Sequence, residues 1–376
     1  MPIRIVHTAD NHIGLPFRQY AEDVRAKLRE ERSAALGRLV DVANERQSDF
    51  FVVAGDLFDA TRVSAADIRN TVELLKAFAG VAVLVVPGNH DHYNGPETEV
   101  WKRFRGLTEG VGSIHLLTDP KVQTFEAGGQ TIHFFPCACP SKTGAESTIG
   151  WVADAAGTHP AGLRIGIAHG NVAGLGLDAE GQYFNMSPED LEKAGMETWL
   201  LGHIHVPFPT TGAGERSPYF MAGTHTPDSI RCRHGGAAWF IECDGDRVTS
   251  FERLSPGAVR FLRLERRLLT MEDVAMLVRT CEELHAGATV LDLQITGRLS
   301  AAERTELSAA IDRLRPGFLS LTEESDIHDR IDAAQIEARH RKGGLAHRLL
   351  TALLADHEHP DAATLAHELI EEVKAS

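Results

Sequence analysis

Long hydrophobic runs are absent from this 376-residue sequence. A membrane-spanning helix needs about 20 consecutive apolar residues, and we therefore expect no membrane-embedded segment. The first residues, Met1-Pro2-Ile3-Arg4, lead directly into a short apolar run without the layout of a secretory signal. The sequence therefore predicts a cytoplasmic protein. Its length predicts two domains, or one large domain with an appendage.

Cysteine is scarce: the chain has five, an odd number at irregular spacing. This argues against the disulfide framework of small secreted proteins. Cys137 and Cys139 form a lone C-x-C pair, and no second pair follows nearby to complete a typical zinc site. We therefore expect no metal site built on cysteine.

Positive charge is also in short supply, since 38 Lys and Arg residues stand against 53 Asp and Glu residues, a formal net charge of −15. Affinity for nucleic-acid phosphates comes mostly from Lys and Arg. The balance therefore argues against unaided coating of nucleic acid. It leaves open a local basic strip, a partner protein, or an active site that carries its own metal cations.

Short apolar runs alternate with amphipathic segments in the first part of the chain. Three runs are typical of buried strands: Ile3 to His7, Phe50 to Ala54 and Val81 to Val86. Ser64 to Ala79 has helical spacing, with a capping pattern at its start. Ser187-Pro188-Glu189-Asp190 predicts another helix, which Gly195 ends. This alternation indicates an α/β fold.

Later strand-like runs have fewer helices between them and predict a second sheet. They are Thr131 to Phe135, Leu163 to Ala168, Tyr219 to Ala222, Ala237 to Glu242 and Val248 to Arg253. A break at Ser255-Pro256-Gly257 marks the predicted end of a main domain over residues 1–255.

The remaining chain predicts a small α+β domain over residues 256–328 and a helical tail over residues 329–376. The α+β pattern comprises Val259 to Leu264, Thr289 to Ile295, a helix from Ala301 to Leu314, and Phe318 to Leu321. The tail has two apolar stripes, separated by residues 357–361. They comprise Leu345, Leu349, Leu353 and Leu354, and then Leu365, Leu369 and Val373.

Five short polar motifs each follow a strand-like run. They are Asp10-Asn11-His12, Gly55-Asp56-Leu57-Phe58-Asp59, Gly88-Asn89-His90-Asp91, His169-Gly170 and Gly202-His203-Ile204-His205. Ligands of α/β proteins gather at the carboxyl ends of strands, so these loops can converge although they are far apart in sequence. Each motif alone has an ordinary structural explanation, but their order together is specific.

Asp, Asn and His offer oxygen and nitrogen donors, which suit manganese, iron, zinc or nickel better than calcium. D-x-H and H-x-H place two donors on one side of an extended segment. The Asp of a G-D-x-x-D turn can bridge two ions with its two oxygens. Two such ions about 3.5–4 Å apart can share a water and convert it to a hydroxide nucleophile.

These motifs resemble those of the calcineurin-like metallophosphoesterases. The form His7-Thr8-Ala9-Asp10-Asn11-His12-Ile13-Gly14, with Ala54-Gly55-Asp56-Leu57-Phe58-Asp59, is similar to the DNA repair exonuclease branch typified by SbcD. The resemblance covers roughly residues 1–255, and residues 256–328 match that branch's capping domain in layout only. It implies an α/β fold of two packed mixed β-sheets flanked by helices.

The resemblance also implies roles for individual residues. One metal ion would be held by Asp10, His12, Asp56 and His205, and the second by Asp56, Asn89, His169 and His203. His90 would lie over the scissile phosphate and act in catalysis, with Asp91 orienting it. Manganese is the family's usual activating metal.

Two further regions have both a functional and an ordinary interpretation. His225, Arg231 and Arg233 lie where substrate-facing loops are expected and could contact phosphates, or belong to a solvated turn. The tail helices could dock on an SMC-like, SbcC-like ATPase partner, as in this branch, or pack on the chain's own cap. A homodimer would fit the family.

The function expected from the resemblance is metal-dependent hydrolysis of DNA phosphodiester bonds, as an exonuclease or endonuclease in DNA repair. The alternative is a small-molecule phosphodiesterase or phosphatase of the same superfamily, which would share every metal ligand. The additional C-terminal domain favours DNA. A non-catalytic scaffold would have lost ligands, and none is missing.

Overall fold

The computed structural model describes residues 1–159, 161–176, 178, 181–284, 287–356, 358–359 and 361–375. The chain forms two compact units, Met1–Val259 and Arg260–Ser376. Among the described residues, no helix has the length and apolar character needed to cross a bilayer.

The first unit alternates strands and helices before becoming strand-rich, as its sequence pattern predicts. Its elements are β1 (Ile3–Thr8), α1 (Glu22–Glu45), β2 (Phe50–Ala54), α2 (Ala65–Lys76), β3 (Ala82–Val86), α3 (Glu99–Thr108), β4 (Ile114–Leu116), β5 (Gln123–Ala127), β6 (Gln130–Cys137), α4 (Val152–Gly157), β7 (Leu163–His169), α5 (Pro188–Lys193), β8 (Thr198–Gly202), β9 (Ala213–Gly214), β10 (Tyr219–Met221), β11 (Ala238–Asp244) and β12 (Arg247–Leu254).

These strands form two mixed sheets, in the orders β4-β3-β2-β1-β11-β12-β9 and β10-β8-β7-β6-β5. Strands β2 and β3 are apolar throughout because both of their faces are buried. In β2, Phe50 and Val52 belong to a core shared with the second sheet, whereas Phe51 and Val53 pack against the flanking helices. The predicted fold class, two packed mixed sheets flanked by helices, is confirmed.

The helix starts agree with their local signals. The Ser64 side chain accepts a hydrogen bond from the Asp67 backbone N–H at the start of α2. Ser187 and Asp190 form a reciprocal capping box at the start of α5, with Pro188 in the first turn. The capping residues thus fix where these helices begin.

One expectation about the sheets is wrong. The runs Ala237 to Glu242 and Val248 to Arg253 become β11 and β12, which join the first sheet and not the second. β11 pairs with β1 in antiparallel fashion, with Ile5 opposite Ile241. Period-two patterning identifies a strand but does not specify a partner that lies more than two hundred residues away.

The second unit begins with a three-stranded parallel sheet in the order β13-β14-β15 and ends with helices. Its elements are β13 (Arg260–Leu268), α6 (Met271–Leu284), β14 (Thr289–Leu299), α7 (Ala301–Leu314), a short 3-10 turn (Arg315–Gly317), β15 (Ser320–Asp329), α8 (Ala333–Arg339), α9 (Leu345–Leu354) and α10 (Ala362–Ala375). The sequence pattern did not predict α6. Dividing this unit into a cap and a tail remains a prediction.

Candidate metal centre

The five polar motifs converge at the carboxyl ends of β1, β2, β3, β7 and β8. A direct contact joins the two sheets there, since Nδ1 of His169 lies 2.9 Å from the Ala54 carbonyl oxygen. The loop after β1 is tied to the loop after β2 by hydrogen bonds from Asp10 N–H to Gly55 and from His12 N–H to Asp56. Residues distant in sequence therefore share one site.

The first donor cluster consists of Asp10, His12, Asp56 and His205. His12 Nε2 lies 3.2 Å from His205 Nε2 and 3.6 Å from Asp56 Oδ2. His205 Nε2 lies 3.6 Å from Asp10 Oδ1. The two carboxylates and two imidazoles thus surround one point.

The second cluster consists of Asp56, Asn89, His169 and His203. His169 Nε2 lies 3.3 Å from Asp56 Oδ2 and 3.0 Å from Asn89 Oδ1. His203 Nδ1 lies 3.1 Å from the same Asn89 oxygen. Asp56 therefore faces both clusters, as a bridging ligand must.

The donor set fits cations at both clusters. His205 Nδ1 lies 2.7 Å from Asp228 Oδ2 and His12 Nδ1 lies 3.3 Å from Asp59 Oδ1, so a carboxylate favours the proton on Nδ1 of each ring. The Nε2 atoms of the two rings then face one another at 3.2 Å, an arrangement that a cation between them stabilises. His169 Nδ1 donates to the Ala54 carbonyl, and its Nε2 faces oxygens of Asp56 and Asn89, a position that a proton or a metal ion can occupy.

The backbone at the site is held in a conformation that non-glycine residues rarely adopt. Asp10, His12, Asp56 and His203 have φ values of 51°, 43°, 53° and 98°. Such residues persist only where the surrounding structure enforces them. Gly88 belongs to the same packing, because a Cβ there would lie 2.3 Å from Asp56 Oδ1.

His90 lies at the open edge of the clusters. Its ring is half-buried and packs edge-on against the His12 ring, with centroids 4.7 Å apart. Its backbone N–H donates to Asp56 Oδ1 at 2.8 Å, and its Nδ1 lies 3.1 Å from the Asp59 carbonyl oxygen. The Asp59 carbonyl therefore orients the ring.

The role expected for Asp91 needs correction. Its two carboxylate oxygens accept from the backbone N–H groups of Phe58, at 3.0 Å, and Gly88, at 2.7 Å. Burial and the charge of Asp56 raise the pKa of Asp91 to about 8. Asp91 fastens two ligand loops together and does not orient the His90 imidazole.

The comparison with known families agrees with this geometry. A family model described as calcineurin-like phosphoesterase matches residues 3–207, more than half of the chain. The chain belongs to the calcineurin-like phosphoesterases. This family uses a dinuclear divalent-metal site, and the clustered His and Asp side chains provide the ligands for one.

Individual relatives are more distant. The chain is 29% identical over 212 residues to the uncharacterized metallophosphoesterase YhaO of Bacillus subtilis, covering 54% of this chain and 48% of that protein. It is 25% identical over 252 residues to the DNA double-strand break repair protein Mre11 of Aeropyrum pernix, covering 65% and 58%. The chain thus spans about half the length of the curated relatives it matches.

A solved structure of TT1561 from Thermus thermophilus is also similar to this chain. The match has a TM-score of 0.39 and 13% sequence identity, and it covers 59% of this chain and 89% of that one.

Two carboxylates that support the ligand histidines of this calcineurin-like phosphoesterase were not identified as such from the sequence. Asp228 holds His205 Nδ1, and Asp59 faces His12 Nδ1. The ion pair with His205 lowers the pKa of Asp228, although burial opposes this. Asp59 belongs to the G-D-x-x-D motif, whereas no local pattern marks Asp228.

Arg32 was missed as well. It comes from α1, is only 1% exposed, and donates to the carbonyl oxygens of Asn11 at 2.7 Å and Asp10 at 3.1 Å. It also donates to Thr224 Oγ1 at 3.1 Å. Arg32 therefore clamps the D-x-H loop to the loop after β10. Its residue type alone suggests a surface position, although its spacing from Leu28 and Leu36 places it on the buried face of α1.

The three residues expected to contact substrate have different surroundings. His225 is fully buried, and its Nε2 lies 2.8 Å from the Arg32 carbonyl oxygen, so a phosphate outside cannot reach it. That expectation is wrong. Arg231 and Arg233 are exposed, and a role for them in substrate binding remains a prediction.

Asp228→Asn is expected to weaken divalent-metal binding about 10- to 100-fold, the usual effect of removing a partner of a ligand histidine. Asparagine can still accept from His205 Nδ1, so the change removes charge and keeps the hydrogen bond. Calorimetric titration with Mn²⁺ measures this, with Asp246→Asn on the exposed β11–β12 turn as control. Equal affinities in both variants would refute the supporting role.

Metal loading is expected to depend on pH. Burial disfavours a charged His169, but Asp56 outweighs it and raises the pKa to about 9, so the metal-free ring holds a proton below that pH. A metal ion must displace this proton. Affinity should therefore fall roughly tenfold per pH unit as pH decreases below 9. Mn²⁺ titrations at several pH values test this, and a flat profile would contradict it.

Proposed function

We propose that this chain is a metal-dependent nuclease that hydrolyses phosphodiester bonds of DNA during DNA repair. The observation that carries the proposal is the pair of donor clusters sharing Asp56, with His90 beside them. The choice of DNA is supported by relatives described as double-strand break repair proteins. These descriptions apply to the relatives, and digestion of DNA by this chain tests whether they extend to it.

The donors that would hold the two ions are Asp10, His12, Asp56 and His205 on one side, and Asp56, Asn89, His169 and His203 on the other. When bound, two divalent ions supply charge neutralisation and lower the pKa of a coordinated water. We propose manganese, because mixed carboxylate, amide and imidazole donors suit it. Burial and the neighbouring His169 lower the pKa of His203 to about 3, which keeps this ring neutral and able to donate its lone pair.

His90 would act on the leaving oxygen. With Nδ1 engaged by the Asp59 carbonyl, Nε2 is the nitrogen left to face substrate. A protonated ring there can stabilise negative charge on the phosphate and protonate the leaving group. His90, His203 and His205 are partly exposed while Asp10, Asp56 and His169 are buried, so substrate would approach over the histidine edge.

The nuclease would work with an SMC-like ATPase partner in the cytoplasm, and could form a homodimer. Partner docking on the tail is supported by exposed apolar side chains on α9 and α10. These are Leu345 at 78%, Leu349 at 44%, Leu365 at 45%, Leu369 at 62% and Val373 at 75% exposure. Apolar side chains this exposed favour partner docking over packing on the chain's own cap.

Digestion of end-labelled linear DNA with Mn²⁺ tests the proposal. A chelator control, the His90→Gln variant and a small generic phosphodiester are run in parallel. Shortening of DNA only with Mn²⁺, and not by the variant, is expected, and product lengths then give the polarity. Cleavage of the small ester alone would reject DNA as the substrate of the isolated chain and favour a small-molecule phosphodiesterase.

A further inference from the structure

A second group of metal-type side chains lies among the helices of the second unit. His340 follows α8, and His367 and Glu371 lie four residues apart on α10. One donor atom from each lies within 4.8 Å of the others. The nuclease proposal makes no use of these residues.

The two imidazoles are spaced to share an ion. His340 Nε2 lies 3.0 Å from His367 Nδ1, and the rings are only 6% and 8% exposed. Two nitrogens bound at about 2.0–2.1 Å to a tetrahedral zinc ion are roughly 3.3–3.4 Å apart. The two imidazoles therefore need to separate by only a few tenths of an ångström to bind a zinc ion. The four-residue spacing places Glu371 on the same face of α10 as His367.

Positive charge already gathers at these donors. Lys374 Nζ lies 2.8 Å from Glu371 Oε1 and 3.5 Å from His340 Nδ1. Arg339 Nη1 lies 3.5 Å from His367 Nε2. Lys374 and Arg339 both have long, flexible side chains, and the Lys374 side chain is 51% exposed. Lys374 can therefore move into solvent and release the Glu371 carboxylate to a metal ion held between the two imidazoles.

An ion can reach the group from solvent. A cleft of about 330 Å³ opens beside His367, and carboxylates of Asp329, Glu368 and Glu371 lie in its lining. Each of these carboxylates is ion-paired, Asp329 with Arg304, Glu368 with Arg298 and Glu371 with Lys374. An entering ion therefore competes with these side chains for the carboxylates.

We propose that His340, His367 and Glu371 form a structural site for a divalent cation of intermediate softness, with Zn²⁺ as the best match. Two imidazole nitrogens and one carboxylate oxygen are typical zinc ligands, and water would complete the tetrahedron. The bound ion would tie the end of α8 to α10 and compete with Lys374 for the Glu371 carboxylate.

The test uses the full chain, stripped with chelator, loaded with Zn²⁺ alone and desalted, with bound zinc counted by mass spectrometry. His340→Ala and Glu371→Gln should each hold one equivalent fewer than wild type. His328→Ala, an exposed histidine paired with Asp326 in the same unit, should match wild type. In competition with a chelator, Lys374→Ala should bind Zn²⁺ at His340, His367 and Glu371 at least tenfold more tightly than wild type does.

Wild-type zinc content in folded His340→Ala and Glu371→Gln would overturn the proposal, as would weaker zinc binding by Lys374→Ala. Circular dichroism verifies folding, and Glu371→Gln covers the case that His340→Ala misfolds, since Glu371 is exposed. Ions at the centre in the first unit contribute equally to all variants, so failure of the nuclease proposal would leave this comparison intact.

Discussion

Asp56→Asn should remove both metal ions together and abolish hydrolysis. Asp56 Oδ2 lies 3.6 Å from His12 Nε2 and 3.3 Å from His169 Nε2, so it faces a histidine of each cluster. Removing a mere hydrogen-bonding partner of a ligand costs about 10- to 100-fold in metal affinity. Losing the shared carboxylate should cost each ion more than that.

The variant is expected to fold, because asparagine tolerates the left-handed backbone that Asp56 adopts at φ 53°. Metal content after desalting and DNA hydrolysis with Mn²⁺ are the measurements. Asp246→Asn is the matched control, since its turn lies beyond β11 and β12, near the start of β1 and away from the site. Retention of one tightly bound ion would refute the bridging role.

His90→Gln should leave metal content unchanged and lower kcat about 10²- to 10⁴-fold, the usual contribution of a general acid. The His90 side chain contacts the Asp59 carbonyl and the edge of the His12 ring. Its link to Asp56 runs through its backbone N–H, which the substitution retains. The change should therefore affect the reaction and not the metal ligands.

The measurements for His90→Gln are metal content, kcat and KM, and a reduced kcat with unchanged metal content is expected. A large loss of bound metal would instead show that His90 is a ligand. An unchanged kcat would exclude it from the reaction.

Much of the first unit could be predicted from sequence because local chemistry determines it. Phe50–Ala54 has the predicted bounds, since a run buried on both faces carries its own signal. Ser64 and Ser187 mark helix starts through their own side chains. The motif loops were recognisable because strand ends place ligands predictably.

What could not be predicted depends on contacts between distant residues. The partner of β11, the clamp formed by Arg32, and the support of His205 by Asp228 are all set by tertiary packing. His225 shows the same limit, because its position among the expected substrate-facing loops suggested an exposed side chain, whereas the folded chain encloses it. Residue type and spacing identify donors more reliably than they identify what surrounds them.

The strained backbone at Asp10, His12, Asp56 and His203 implies a trade-off between thermal stability and activity, because the same residues lower the one and are needed for the other. Each non-glycine residue in the left-handed region costs on the order of 1 kcal/mol, and glycine relieves that cost. Selection for thermal stability alone would therefore favour glycine at these positions and yield stable but inactive proteins. Improving this protein by directed evolution requires selection for hydrolysis in every round.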